Sequence, residues 1–393
     1  MIAPSLIQRI LPEPRSSRVV SLYFPSSWAA PRNPFAAQIE SEAEDWFRKL
    51  GVIHDTRTAA RFTGMAVGDY GGLPFPLANR AGLEAATRFL SLWLFHDDLL
   101  EGAGAQKDQI LSAALRGDVE TCPSGPPCLR GWWELGMSLR SRMDRRLLER
   151  LSSRFEDWLL TLDEEARLAK RCRQGRPPSV AEYLAVRLVN IGVFPTLLFI
   201  ELTTGTAVPE AIAAHPAFQA IELLAAGLIT IANDLFAFTK DHEQSWPNLV
   251  SSLAAEQQLS LHDAFAKTAA LHRTWLAELV CAEEELLVAA PDMLCVKRWL
   301  RGVHHVAIQT QRFDESVRFY VDVLGCELLV RRPFKSREMA WISVGNVQIE
   351  LFSARAGQQL QPWSDFTPGP TSIPPGFQRL VLTPMEHEPV EPW

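Results

Sequence analysis

Cysteine is sparse in this 393-residue chain, and the six present (Cys122, Cys128, Cys172, Cys281, Cys295 and Cys326) are scattered without a Cys-x-x-Cys pair or a metal-finger spacing. That pattern excludes a zinc finger and a disulfide framework; it fits reduced structural thiols in a chain long enough to bury its own core. Basic clusters are missing as well. With a net charge of −7 and no gathering of lysine and arginine, the chain has no electrostatic footprint for a nucleic acid. No run of eighteen apolar residues occurs, and the first residues carry Arg9, Pro12, Pro14 and Arg15 in place of a continuous apolar segment. Neither stable membrane insertion nor secretion is expected, and the expected location is cytoplasmic. Low-complexity sequence is also absent.

What is present divides in two. With 47% hydrophobic residues, the chain can fill two or more cores. From about residue 36 to 299 the segments are long, rich in Ala, Leu and Glu, and periodic at helical spacing, with breaks at 71–76, 122–127, 175–178 and 203–209. From residue 303 the texture changes to short runs of β character at 303–309, 327–332, 339–344, 347–352 and 378–383, with one amphipathic stretch at 313–324. The expectation is a mainly α protein: a helical domain over 1–302, then a small α+β βαβββ module over 303–393, with an extended Pro-rich loop at 362–375.

The segment 89–101 is an apolar helical stretch that runs without a break into Asp97, Asp98 and Glu101. Asp97 and Glu101 are four apart, so on a helix both carboxylates share one face, while Phe89, Trp93 and Asp97 form a stripe leading into apolar surface. Gly102 and Gly104 read as a helix stop, which puts three acids in a last turn where the macrodipole is already negative. A bound cation would remove that penalty. Asn233, Ala237 and Asp241 follow at i, i+4 and i+8, with Asp234 and Lys240 beside them. Asn and Asp supply hard oxygens of the kind Mg2+ prefers, and Mg2+ commonly completes its shell with water and substrate phosphates.

Taken together, these residues resemble the bacterial class I terpene synthases over about residues 24–302. Asp97, Asp98 and Glu101 match the family's aspartate-rich motif, with Pro76, Trp93 and Phe95 as its lead-in. Asn233, Ala237 and Asp241, with Lys240 and then Asn248, Leu249 and Val250, resemble its second metal motif. Arg187 falls 46 residues before Asn233, where the family places a diphosphate-sensing arginine, and Asn190 and Gly192 lie near the helix break used to trigger ionisation. Two departures stand out. Ala237 replaces a hydroxyl ligand, and Asp241 replaces a glutamate. After Trp299, Leu300, Arg301 and Gly302, the family's final helix with its Arg-Tyr pair is not found.

The C-terminal part resembles the glyoxalase/bleomycin-resistance (vicinal oxygen chelate) superfamily through His305 to Ile308, Ser316 to Gly325 and Val347 to Phe352. The resemblance maps two metal ligands of that superfamily onto His305, on an expected first strand, and Glu350. Two ligands do not make a site, so the module is expected to assemble, as one half of a homodimer or as a cover over the helical domain.

The first resemblance implies a lyase that ionises an isoprenyl diphosphate, farnesyl diphosphate foremost, and cyclises the resulting cation. Three Mg2+ ions, the family number, with Asp97, Asp98, Glu101, Asn233 and Asp241 as catalytic or metal-holding groups, and with Arg187 and Lys240, would make diphosphate a leaving group. Phe62, Phe89, Trp93, Phe194 and Trp299, with Asn190 and Gly192, would line the substrate pocket, each aromatic face stabilising the cation by roughly 0.5 to 2 kcal/mol. Two other readings stand beside this one: a scaffold that binds isoprenoid diphosphates without ionising them, and a metal-dependent lyase or oxygenase run by the C-terminal module.

Overall fold

A helix pattern of alternating long and short pieces, several of them started by a side-chain cap, builds the larger part of the molecule. The computed structural model describes residues 19–25, 32–97, 106–307 apart from 119 and 123, 327–334, 337–344, 347–352 and 378–385. In chain order the elements are β1 (Val19–Pro25), α1 (Ala36–Leu50), α2 (Thr56–Met65), α3 (Val67–Gly72), α4 (Arg80–Asp97), α5 (Gln106–Arg116), α6 (Pro127–Arg140), α7 (Arg145–Arg173) and α8 (Val180–Asn190). They continue with α9 (Val193–Thr204), α10 (Glu210–Ala213), α11 (Pro216–Glu243), α12 (Leu249–Gln257), α13 (Leu261–Ala289), α14 (Leu294–Ala307), β2 (Glu327–Phe334), β3 (Arg337–Val344), β4 (Val347–Phe352) and β5 (Gln378–Met385). Each of the four expected breaks falls at a helix junction, overlapping the ends of α3, α6 and α9 by one or two residues.

Capping fixes where the site-bearing helices begin. At the start of α8, Ser179 accepts from the Glu182 N–H while the Glu182 carboxylate accepts from the Ser179 N–H, a reciprocal capping box. Asn248 caps α12 by accepting from the Val250 N–H at 2.9 Å. Between α8 and α9 the chain passes through Gly192 at φ +74°, a left-handed conformation that glycine adopts without a Cβ penalty. α9 is buried on nearly every side from Val193 to Glu201, so it runs through the middle of the bundle with α4, α7, α11 and α14 around it. The stretches 180–204 and 216–238 are long and apolar enough to cross a membrane by length and composition, yet most of each is buried inside the protein.

One expectation fails at the junction. Residues 303–307 are the end of α14 and not a strand. Val296, Trp299, Leu300 and Val303 recur at helical spacing and are all buried, and that apolar face decides against the β-branched texture of Val303 and Val306. The expected domain boundary at 302/303 therefore lies within a helix. Residues 308, 309 and 313–324 lie outside the described residues.

The remaining strands form one five-stranded sheet in the order β1-β5-β4-β3-β2. β2, β3 and β4 are joined antiparallel; β5 runs parallel to β4 and to β1. β1, for which the sequence pattern predicts nothing, supplies an edge, and β1 and β3 lie against α13 and α11.

Candidate active site

Two helices bring the central residues together. Arg187 sits in the last turn of α8 and Asn233 and Asp241 on α11, which packs against α8. Arg187 donates from Nη2 to Asn233 Oδ1 at 2.8 Å and from Nη1 to Asn190 Oδ1 at 3.1 Å. Its Nε stands 3.7 Å from Asp234 Oδ1, and its Nη1 stands 3.7 Å from Glu165 Oε1 on α7. One guanidinium fork thus serves three helices, a task its fixed planar donors suit.

Beneath it lies a buried frame. Asp234 is fully buried; its Oδ2 accepts from the Tyr183 hydroxyl at 2.6 Å and the Leu249 N–H at 2.8 Å. Asn248 donates to the Asp234 carbonyl and to Asp241 Oδ2, each at 2.9 Å. Burial pushes the Asp234 carboxyl up to about 6 against the opposing pull of Arg187, and burial likewise raises Asp241. For Arg187, burial alone would favour loss of the proton, but Tyr183, Asp234 and Glu165 overcome it and the net shift is upward. A buried carboxylate surrounded this way is costly unless it is paired and hydrogen-bonded, and Asp234 is both.

Asn233 and Asp241 point to hard-cation chemistry: both are partly exposed oxygen donors two turns apart, and Asp241 carries a burial penalty that a cation would relieve. Ala237, between them, is buried and adds no oxygen. The residues present fit a divalent cation on this face, with Asn233 and Asp241 to hold it. Asp97 is the last residue of α4; Asp98 and Glu101 lie outside the described residues. Lys240 is exposed, one residue before Asp241.

The predicted aromatics separate. Phe62 packs with Phe47 and Phe95, Phe89 with Trp132, Phe155 and Phe199, and Trp299 stacks on Phe218 at 4.0 Å; all three are about 1% exposed. Phe194 already carries the Arg154 guanidinium over one face at 5.0 Å. Trp93 is half-buried and lies against Gly192 at the α8/α9 break. His305 lies in α14 and not on a first strand, which removes the strand on which its ligand role rested. Glu350 is on β4, opposite Trp341 and Val381. Among the described residues, no group of three or more His, Cys, Asp or Glu could hold a metal ion.

The sequence pattern missed Glu165, Tyr183 and the framing role of Asp234. Tyr183 and Arg187 are four apart on one helix face, a usable signal; Glu165 has none, because nothing local links it to Arg187.

Residues 88–278 match the family described as "Terpene synthase family 2, C-terminal metal binding". The helical part of this chain is similar to the class I terpene synthases. It is an enzyme of the lyase type, with the divalent-metal dependence that the family description carries. The chain is similar to (+)-(1(10)E,4E,6S,7R)-germacradien-6-ol synthase of Streptomyces pratensis, at 28% identity over 300 residues, covering 72% of this chain and 83% of that one. It is also similar to 10-epi-cubebol synthase of Sorangium cellulosum, at 23% identity, covering 72% and 94%. In fold it resembles the linalool/nerolidol synthase of Streptomyces clavuligerus solved with 2-fluorogeranyl diphosphate, with a TM-score of 0.65 at 19% identity over 75% of this chain and all of that one. Residues 302–362 match the glyoxalase/bleomycin resistance protein/dioxygenase superfamily.

Proposed function

We propose that the protein is a Mg2+-dependent terpene cyclase that ionises an isoprenyl diphosphate, farnesyl diphosphate foremost, and closes the resulting allylic cation into a cyclic terpene with release of diphosphate. The observation that carries this reading is the Arg187 fork, which joins Asn233, Asn190 and Glu165 on three helices within a segment that matches the family's metal-binding region.

In that reading Arg187 binds diphosphate oxygens with the fork it now lends to Asn190 and Asn233, and Lys240 adds a positive charge from the α11 surface. Asn233 and Asp241 would hold Mg2+ from α11, and Asp97, Asp98 and Glu101 would supply the other carboxylates, with three ions in all. Mg2+ supplies the positive charge against which the phosphate leaving group departs. Tyr183, Asp234 and Asn248 keep α8, α11 and α12 in register, so that Arg187 is held in place before substrate arrives; preorganised charge of this kind supplies a large share of such catalysis. The apolar centre of the bundle excludes water that would otherwise quench the cation.

The location is cytoplasmic and the division between the helical part and the β module falls after Ala307. A homodimer pairing through β2, which has no partner on its outer side among the described residues, is the assembly that fits such an edge strand, and light scattering on the full chain tests it. The decisive assay incubates the protein and Mg2+ with geranyl, farnesyl and geranylgeranyl diphosphates and weighs the volatile products by mass spectrometry. A cyclic hydrocarbon or alcohol from farnesyl diphosphate is expected. Tight binding of all three with no diphosphate release would establish the non-catalytic scaffold instead.

A further inference from the structure

Trp93 stands four residues before Asp97 on α4, so the two positions lie one turn apart along the same helix. Its indole is pressed on the break between α8 and α9. A Cβ added at Gly192 would lie 2.4 Å from Trp93 Cζ2, 2.6 Å from Cη2 and 2.9 Å from Cε2. Glycine is therefore required there twice over, for the left-handed backbone and for the space the indole takes. Trp93 also meets Trp158 edge to face at 5.9 Å. Trp158 donates from its indole nitrogen to the Asn190 carbonyl at 3.0 Å, and Asn190 accepts from Arg187 through its side chain. The Trp93 Nε1 is buried and, among the described residues, has no hydrogen-bond partner. It adjoins Cε2, on the ring edge that faces the break.

We propose that Trp93 is a positioning residue: its ring holds the Gly192 break in place and couples the acidic end of α4, through Trp158 and Asn190, to the helix end that carries Arg187. This rests on the function proposed above and adds a physical link between its two halves. Close-packed rings pass a displacement on because they have no room to absorb it. A shift of the Asp97 turn therefore moves the Trp93 edge, and that edge can move only with Gly192. A ring that served solely as an apolar wall for substrate would have no such dependence on the backbone at residue 192.

The test uses the full chain with Trp93→Ala, Trp93→Phe, Gly192→Ala and the Trp93→Ala/Gly192→Ala pair. In Trp93→Ala, kcat for farnesyl diphosphate falls on the order of a hundredfold while KM stays within about threefold, the split that marks a loss felt after binding. Trp93→Phe, which keeps a ring against the break, recovers at least about a tenth of wild-type kcat. The double variant loses less than the product of the single losses, because one contact is removed twice. Without any ligand, amide exchange at residues 190–193 speeds up about tenfold or more in Trp93→Ala and stays unchanged in α13. Unchanged exchange at 190–193 overturns the inference, as does a loss carried by KM alone or a strictly multiplicative double variant. Wild-type protein that turns over none of the three diphosphates would sink the proposed function instead; the ligand-free exchange would still decide whether Trp93 holds the break.

Discussion

Arg187 and Asn233, 46 positions apart, are joined by a 2.8 Å hydrogen bond from guanidinium Nη2 to amide Oδ1. The bond holds the oxygen of Asn233 in a fixed direction and occupies only one of its two lone pairs. It also keeps the Arg187 charge beside the buried Asp234 carboxylate, the group that most needs it. Binding geometry and stability therefore depend on the same fork.

Arg187→Lys retains the charge but not the fork. A point charge cannot reach Asn190 and Asn233 together with the planar geometry seen here, so kcat/KM is expected to fall by about tenfold to a hundredfold, with little change in unfolding midpoint. Arg187→Ala leaves Asp234 and Glu165 without their cation and is expected to cost about 1 to 3 kcal/mol as well. Steady-state kinetics and urea unfolding measure the two effects; equal stability of Arg187→Ala and wild type would refute the second.

Removing one of the oxygens that the proposed function assigns to Mg2+ should stop the reaction. Asp97→Ala and Asn233→Ala are each expected to lower turnover at least about a hundredfold, since a lost electrostatic donor at such a site costs about 3 to 4 kcal/mol of barrier. Far-ultraviolet circular dichroism should show unchanged helix content. Full activity in either variant is incompatible with the proposed function.

Ala237 lies between Asn233 and Asp241 on α11 and is buried. Ala237→Ser adds one hydroxyl and little volume, restoring a protein oxygen where water would otherwise complete the shell. The Mg2+ concentration giving half-maximal activity is expected to drop while the product profile is preserved. A higher metal requirement would show that the pocket is adapted to alanine.

Gly227 in α11 faces the Trp275 ring of α13 so closely that an added Cβ would sit 2.1 Å from Cζ3 and 2.2 Å from Cε3. Trp275 is almost fully buried and cannot withdraw. Although alanine is the better helix former, Gly227→Ala is expected to destabilise by about 1 to 3 kcal/mol through overpacking, read as a lower urea midpoint with the slope unchanged. A gain in stability would mean that the two helices can part.

Acid should weaken the start of α8 in a defined window. The Arg171 guanidinium, with the Ser179 cap, holds the Glu182 carboxyl down at about 2, below its ordinary value of 4.5. A carboxyl depressed by folding contributes stability that is fully present above its unfolded pKa and is lost as pH falls from about 4.5 through 2. The pair is half-exposed, so the charge contribution at neutral pH is about 0.2 to 1 kcal/mol and shrinks in salt. Glu182→Gln should therefore be less stable than wild type at pH 7 and converge with it near pH 2. A constant difference across that range would assign the effect to the cap alone.

Much of this was legible because the governing interactions are local. The helix breaks carry Gly and Pro, β4 spans residues 347–352 as its short run of β character predicts, and the i, i+8 spacing of Asn233 and Asp241 survives on α11. Where distant partners decide, the pattern misleads. Residues 303–307 look like a strand until Val296, Trp299, Leu300 and Val303 are seen to bury one helical face. The partners of Arg187 follow the same rule: Asn190 and Asn233 announce themselves by spacing, whereas Glu165 is brought in by the crossing of α7 and α8.

Strand β1 pairs in parallel with β5 from Val19 opposite Arg379 to Pro25 opposite Met385. The earlier strand thus waits for a partner made about 350 residues later. At typical elongation rates of about 5 to 20 residues per second, the delay is roughly twenty to seventy seconds. Throughout that interval the helices can fold as they emerge, but residues 19–25 have no sheet to join, and an unpaired strand is a template for other chains. Slow translation or premature termination upstream of residue 378 would therefore leave a folded bundle trailing a free β segment, making association between nascent chains the characteristic hazard in producing this protein.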